Sequence, residues 1–490
     1  MENLVVSAKK KVTLDKFVST VRVSTQNEIK EILNVSARSV IGSAEQANSV
    51  VSLAGRVFVN VIYLSKDGEV LSAEGSVDFI EKQQMQYALS DLFASDNVSV
   101  QMDTFSSLEV LCSVTHNTRI FGIYRYEIAD FVGENTSFVL NKKSFNSLQL
   151  IAVADDNFVV AEEADSNVKN MRVLSSSAKV VSYEAAAAVD KIVVDGKIAV
   201  EVVYDDTETI GACVKEFEFK QEIAAASVVP NMLALAYVEV KNVTVTPEEG
   251  QDKTHIVYAI DVYAKGYAYE ENTYEIATDM FSLDSELENT YDYLEVKNYS
   301  STKKQNEVVM SSTNISEIEN FDDIVGVYSP EFKLSNIVED GEKVYAEGNI
   351  VAYALYKEEE QIKKLDVVSP VKFEVIKDLG EVYDDFCAYV EISSFKVKAG
   401  KELEVAFKLD YSVSFGKNLS ESFIKSFEVK DAKQKSEAGI KVYVTKQGET
   451  LFDVAKVLSV RPEMILEQNE VDDVFEQGEK IYVYSPINIM

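Results

Sequence analysis

The sequence has few of the residues on which most catalytic and metal sites depend. Among 490 residues there are two histidines, three cysteines, six prolines and no tryptophan. Cys112, Cys213 and Cys387 are widely separated and lack metal-ligand spacing, so neither a disulfide framework nor a zinc site is expected. His116 and His255 have no cysteine, aspartate or second histidine at ligand spacing. We expect both to be structural or surface residues.

Sequence motifs for catalysis are also missing. There is no GxxxxGK phosphate loop, no GxGxxG after a strand, no GxSxG elbow and no HExxH helix. Adjacent carboxylates such as Asp205 with Asp206 are common in a chain with 82 acidic residues, and nothing favours one pair as a glycosidase pair. The sequence therefore predicts a protein that is not an enzyme and that holds no metal and no cofactor.

The chain lacks long apolar runs, and its net charge is strongly negative. The first residues do not resemble a signal peptide and no stretch is long enough to span a bilayer, which predicts a cytoplasmic protein without a transmembrane segment. The charge of -34 is spread along the chain and argues against nucleic acid as a partner. Solubility and steering towards a basic partner both remain open as explanations of the charge.

Three segments of the chain share one pattern. Each begins at a glycine, continues with apolar residues at even offsets and reaches a tyrosine at the same offset. The paired positions are Gly55 with Tyr63, Gly196 with Tyr204, and Gly348 with Tyr356. The alternation predicts a half-buried strand, and a second apolar run after each turn predicts a hairpin. We expect the tyrosines to be rim residues, with a repeated ligand contact as the alternative.

Further strands follow each hairpin. Residues 235–245 should pair with 255–269, residues 387–397 with 403–415, and residues 98–102 with 108–114. Because the glycines recur at domain spacing, the fold class is predicted to be mainly β, with three tandem antiparallel β-rich domains. We place them at residues 1–143, 144–297 and 298–431, with a linker at 432–439. Their strand edges also allow self-association.

The segment 440–486 is predicted to be a small α+β (βααβ) domain. Thr450 can cap the first helix together with Asp453, Pro462 suits the first position of the second helix, and Asn469 can end it. The segment resembles a LysM domain. The matching positions are Tyr443, Gly448, Glu449, Thr450, Leu451, Ala455, Asn469, Gly478 and Lys480.

Three such β-rich domains followed by one LysM domain resemble the SipL-type spore coat and envelope morphogenetic proteins, whose repeated domain is named SPOCS. The resemblance implies a non-enzymatic scaffold or adaptor in spore coat assembly. It also implies a protein that is made in the mother-cell cytoplasm and acts at the forespore surface. Its LysM domain would bind a coat basement protein such as the SpoIVA ATPase. The alternative is a protein that binds peptidoglycan or other N-acetylglucosamine-containing glycans through the LysM domain.

In LysM domains the ligand groove lies between the loop after the first strand and the loop before the last. The candidate residues are Gly448, Glu449, Thr450, Leu451, Phe452, Asn469, Val471, Asp472, Asp473 and Val474. Acidic residues in the second loop favour a protein ligand over a glycan. Phe452 lies outside the apolar stripe of its helix, and we expect it to be an exposed anchor, with packing against the neighbouring strand as the alternative. One residue of the run 464–466 should also be exposed.

Overall fold

The computed structural model describes residues 3–129, 137–206, 210–249, 253–315, 321–358, 361–377, 385–399, 402–433 and 439–484. The fold is mainly β, as the alternating apolar pattern predicts. In the described part of the chain, the strands form antiparallel sheets that repeat one topology three times, and a small module with two helices follows.

The first unit contains two sheets that pack face to face. Its strands are β1 (Asn3–Thr13), β2 (Phe17–Ser24), β3 (Ile29–Ala47), β4 (Val50–Ser65), β5 (Val70–Gln84), β6 (Leu89–Phe105) and β7 (Glu109–Ala129). One sheet is the meander β3–β4–β5. In the other, β6 also pairs with β7, and β1 and β2 pair with successive parts of β7, like two halves of one long strand. Apolar residues of β4 and β7 fill the space between the sheets.

The second and third units repeat this arrangement with a single long first strand. The second unit has β8 (Phe138–Ser166), β9 (Arg172–Ala188), β10 (Lys191–Asp205), β11 (Ile210–Ala224), β12 (Leu233–Glu249) and β13 (Thr254–Ser282). The third has β14 (Ser285–Asn314), β15 (Phe321–Asp340), β16 (Lys343–Glu358), β17 (Gln361–Ile376), β18 (Asp385–Ala399) and β19 (Glu402–Ala432). The sheets are β9–β10–β11 with β8–β13–β12, and β15–β16–β17 with β14–β19–β18. The predicted pairings of 235–245 with 255–269 and of 387–397 with 403–415 are confirmed.

The repeated glycine has the same structural reason in all three units. It lies on the central strand of each meander, opposite or beside a register shift of the preceding strand. A Cβ atom would lie 2.5 Å from the carbonyl oxygen of Val40 at Gly55, 2.2 Å from that of Ser182 at Gly196, and 2.4 Å from that of Lys333 at Gly348. Any side chain would therefore push the bulged backbone away.

The tyrosines that follow the glycines belong mainly to the core. Tyr63 is 2% exposed and Tyr356 is 8% exposed, while Tyr204 is half-buried. The expectation of a rim position is therefore wrong for Tyr63 and Tyr356.

Two hydrophobic clusters receive side chains from all three units. The first consists of Leu33, Ile62 and Leu64 with Leu174, Val203 and Ile210 and with Tyr353 and Leu355. The second consists of Val6, Ala8, Tyr126 and Ile128 with Phe145, Tyr274 and Ile276 and with Leu294, Val296 and Phe423. The units therefore pack on one another and are not separate beads on a string.

The domain limits proposed from the sequence stay a prediction. The structure shows in which elements the limiting residues lie. The limits after residues 143 and 297 lie inside β8 and β14. Both points lie within continuous strands and not in loops. Of the proposed linker, residues 434–438 lie outside the described residues, as do 485 and 486 of the final segment.

The carboxy-terminal module consists of β20 (Ile440–Val444), α1 (Leu451–Leu458), α2 (Pro462–Gln468) and β21 (Lys480–Tyr484). The two strands form an antiparallel ribbon whose inner face packs on the helices. This is the βααβ order that the sequence predicts.

Candidate binding site in the carboxy-terminal module

The first helix of the module begins as the sequence predicts. Thr450 caps α1, and its hydroxyl accepts a hydrogen bond from the backbone N–H of Asp453 at 3.2 Å. The Asp453 carboxylate in turn accepts one from the backbone N–H of Thr450 at 2.9 Å. This capping box satisfies two N–H groups that would otherwise be unpaired at the helix start. Thr450 and Asp453 are thereby engaged within the module.

The two loops that flank the predicted groove are joined by backbone hydrogen bonds. The N–H of Leu451 donates to the Asp473 carbonyl at 2.9 Å, and the N–H of Phe475 donates to the Glu449 carbonyl at 2.9 Å. The N–H of Gly448 donates to the Phe475 carbonyl at 3.1 Å. Gly448 has φ of 79°, a conformation that favours glycine. These three amides are consequently already used and cannot also donate to a ligand.

Glu449 is held by its own loop. Its carboxylate accepts a hydrogen bond from the backbone N–H of Lys446 at 2.8 Å and another from the Tyr443 hydroxyl at 2.8 Å. These bonds, led by that of Lys446, lower the pKa of the Glu449 carboxyl below its usual value. Glu449 therefore fixes the conformation of the loop through its ionised carboxylate.

Asn469 acts as a clamp between α2 and the ribbon. Its side-chain amide donates to the carbonyls of Ile465 at 2.9 Å and Tyr482 at 2.8 Å, and its side-chain oxygen accepts from the Tyr482 N–H at 2.9 Å. Gln468 bonds the backbone of Tyr484 in the same way. Asn469 thus serves the module's fold, and its polar atoms are already paired.

The exposed part of the candidate site is the second loop. Asp472, Asp473 and Val474 are exposed, and Val471 is half-buried. Val474 is 59% exposed and pairs with Thr450 through an isolated β-bridge. An apolar side chain beside two carboxylates can contact a partner surface that combines apolar and basic groups.

Phe452 is not the exposed anchor expected from its position outside the helical stripe. It is 8% exposed, and its ring lies 5.3 Å from that of Phe281 in an edge-on arrangement. Phe281 and Val139 of the second unit belong to the same hydrophobic cluster as the module's core. The expectation of an exposed anchor is therefore wrong. Phe452 is packed, and the ring contact that it makes is with Phe281 of a neighbouring unit. In the run 464–466, Leu466 is the exposed residue at 45%.

Polar contacts accompany this docking of the module on the second unit. The Lys456 ammonium lies 2.6 Å from the Asp279 carboxylate. Lys433 donates to the carbonyl of Ser282 at 2.7 Å and to the hydroxyl of Ser459 at 2.9 Å. Burial lowers the pKa of Lys433. The face of α1 and its C-terminal end are therefore an internal contact, whereas the second loop is free to meet a partner.

A buried polar trio in the first unit was missed by sequence reasoning. His116 Nε2 lies 2.9 Å from Ser19 Oγ and Nδ1 lies 2.6 Å from Asp96 Oδ2, while Thr118 donates to Asp96 at 2.9 Å. Burial tends to raise the pKa of Asp96, but its hydrogen bonds, first that from His116, lower it. Its distances match those of a Ser-His-Asp triad. The imidazole, however, is fully buried and stacks on Phe17 at 4.1 Å, so we interpret the trio as a satisfied part of the core.

The other histidine and the cysteines lie apart from this trio. His255 is hydrogen-bonded to Asp165 at 3.1 Å and Glu163 at 3.2 Å, and these carboxylates, first Asp165, raise its pKa. Burial raises the pKa of the Cys112 thiol to about 11 and also raises that of Cys213. The side chain of the third cysteine lies outside the described residues.

No group of three or more histidine, cysteine, aspartate or glutamate side chains suited to a metal occurs among the described residues. Within that same part of the chain, neither helix has the length and hydropathy needed to cross a membrane.

The chain resembles one known family over part of its length. Residues 171–248 match the family model described as SipL, SPOCS domain. This segment extends from the start of β9 almost to the end of β12. We found no match among curated proteins and none among solved structures. The second unit, which holds the central meander and the surface on which the module docks, is thus similar to a SPOCS domain of the SipL type.

Proposed function

We propose that this chain is a non-enzymatic adaptor in spore coat assembly. In this proposal the three β units form the platform, and the carboxy-terminal module is a LysM domain that binds another coat protein. The SPOCS match over 171–248 supports the sporulation role, and the common topology of the three units supports a repeated SPOCS-like architecture. The protein would be made in the mother cell and act at the forespore surface.

The module's geometry supports the LysM assignment. Gly448 and Gly478 both have positive φ, at 79° and 92°, in the turns where the LysM pattern has glycine. Thr450 caps α1, and Asn469 ties the end of α2 to β21. The residues that carry the resemblance therefore occupy positions where the βααβ fold needs them.

A protein partner suits this module better than a glycan. The observation that carries this conclusion is that three backbone amides beside the predicted groove already donate within the module, whereas the second loop presents exposed carboxylates. Glycan recognition depends on available hydrogen-bonding groups, whereas docking of a basic protein gains from steering by fixed negative charge. Asp472 and Asp473, together with exposed Val474, are the residues through which we expect the partner to bind.

The test measures binding of the intact chain to a purified coat basement ATPase of the SpoIVA type and to N-acetylglucosamine oligomers. The double variant Asp472→Lys with Asp473→Lys should weaken ATPase binding by about tenfold or more, which corresponds to about 1.4 kcal/mol. The matched control is Glu270→Lys with Glu271→Lys, which changes two adjacent exposed carboxylates of β13 by the same charge.

The two variants separate local contact from net charge. Equal weakening by both would show that only the overall charge matters and would reject the second loop as the site. Binding to the oligomers that is unchanged by Asp473→Lys, with no binding to the ATPase, would replace the adaptor function with a wall-glycan function.

A further inference from the structure

The ribbon of the module has an apolar outer face. Cross-strand pairing places Ile440 opposite Tyr484 and Val442 opposite Tyr482, with Val444 at the next position on the same side. Ile440 and Val442 are each 55% exposed, Val444 and Tyr484 are each 54% exposed, and Tyr482 is 39% exposed. These five side chains form a contiguous apolar patch of roughly 500 Å². Patches of this size, unlike single exposed apolar residues, often mark an interaction site.

This face lies away from the contacts that hold the module in place. The inner face, with Ile481 and Val483 fully buried, packs on the helices. The contacts with the second unit come from Phe452 and Lys456 on α1. The side-chain amides of Gln468 and Asn469, at the end of α2, form hydrogen bonds with the backbone of β21 along its outer edge. They take the place of a further paired strand. The β21 edge is therefore covered, whereas the outer face of the ribbon remains exposed.

The charge of the ribbon differs from that of the whole chain. The ten residues of β20 and β21 include no aspartate and no glutamate, although the chain contains 82 such residues and has a net charge of -34. Two copies of the chain would repel one another at most orientations. They can approach through a surface without carboxylates, and interface centres are depleted of charge in the same way.

We propose that this outer face is the contact between two copies of the chain. In a two-fold arrangement, the five apolar side chains of one ribbon pack on the same five of the other. The buried area would be about 1,000 Å² in total, which lies at the lower limit of specific interfaces, so the dimer should be weak and concentration-dependent.

The expected dependence of self-association on salt follows from the net charge of the chain. Two bodies of charge -34 repel, and added salt screens that repulsion, while the apolar contact is not weakened by screening. Self-association should therefore strengthen as the salt concentration rises. Binding of a basic partner by the acidic second loop should weaken under the same change, so failure of one proposal can be told from failure of the other.

The experiment is sedimentation velocity of the intact chain over about 1 to 200 µM, at low and at high salt. We expect a dimer to appear as concentration rises, and to appear earlier at high salt. Val442→Lys should weaken the dimer at least tenfold, and Tyr482→Ser should weaken it without adding charge. Val457→Lys is the matched control, because Val457 is 61% exposed on α1 of the same module.

Each result has a definite meaning. A monomer over the whole range at both salt concentrations would overturn the proposal. Equal loss of the dimer in Val457→Lys and Val442→Lys would also overturn it, because the effect would then reflect added charge and not the ribbon face. Far-ultraviolet circular dichroism checks that Val442→Lys and Tyr482→Ser remain folded.

Discussion

The contact between the module and the second unit can be measured by a double-mutant cycle on Phe452 and Phe281. Each ring is almost completely buried, at 8% and 3% exposure, and the two centroids are 5.3 Å apart. Replacing a buried phenylalanine by alanine costs about 3–5 kcal/mol, as lost burial plus the cavity that remains. Phe452→Ala should therefore destabilise both the core of the module and its docking, whereas Phe281→Ala should chiefly release the docking.

The ring pair adds a coupling between the two changes. Edge-on aromatic pairs contribute about 0.5–1.5 kcal/mol beyond the area that they bury. The double variant should consequently be less destabilised than the sum of the single variants by about that amount. Local opening of α1, measured by hydrogen exchange, is the suitable assay because the chain has several units that need not unfold together.

The control for this cycle is Leu466→Ala. Leu466 is 45% exposed on α2, and its loss should change the opening free energy of α1 by less than about 1 kcal/mol. Additivity of Phe452→Ala and Phe281→Ala within about 0.5 kcal/mol would refute the docking contact. A cost of Phe452→Ala as small as that of Leu466→Ala would restore the interpretation of Phe452 as a surface residue.

Three further outcomes follow from the polar contacts. Asn469→Ala should cost about 1–3 kcal/mol in urea unfolding of the module, since it leaves backbone groups unpaired; an unchanged midpoint would contradict its role as a clamp. Asp96→Asn should destabilise the first unit by about 1–3 kcal/mol, because the buried carboxylate is hydrogen-bonded to His116 and Thr118 and an amide cannot replace both contacts; unchanged calorimetric unfolding would argue otherwise. In an NMR titration, His255 should protonate above its ordinary pKa of about 6.5, and Asp165→Asn should lower that value. The pairing of His255 with the two carboxylates therefore stabilises the folded state at pH below about 6.5, and this stabilisation is lost as the pH rises through the raised pKa of the folded state. A pKa at or below 6.5 would contradict this.

The sequence was sufficient for the strands because alternate residues of each central strand pack against the partner sheet of the same unit. Alternation after Gly55, Gly196 and Gly348 predicts central strands, and all three are central strands of three-stranded sheets. The glycine itself is explained only by the structure, since its cause is a bulged carbonyl of the preceding strand. Local periodicity reports which residues are buried, but it does not report which neighbour buries them.

In the candidate site, too, the sequence predicts local features but does not predict contacts with residues that are distant in the chain. The capping role of Thr450 depends on residues within a few positions, and the sequence predicts it correctly. The burial of Phe452 depends on Phe281, which is far away in the chain, and no local pattern indicates that contact. The trio around His116 was missed for the same reason, because its members come from three different strands.

Docking of the module bears on the proposed adaptor function. Phe452 and Lys456 attach α1 to the second unit, and that unit shares hydrophobic clusters with the first and the third. The second loop and the ribbon face are therefore held in a fixed orientation relative to the platform, so that binding at either does not require the module to be ordered first. A preorganised surface avoids part of the entropy cost of association. Loosening the docking through Phe281→Ala should then weaken partner binding even though Phe281 lies outside both surfaces.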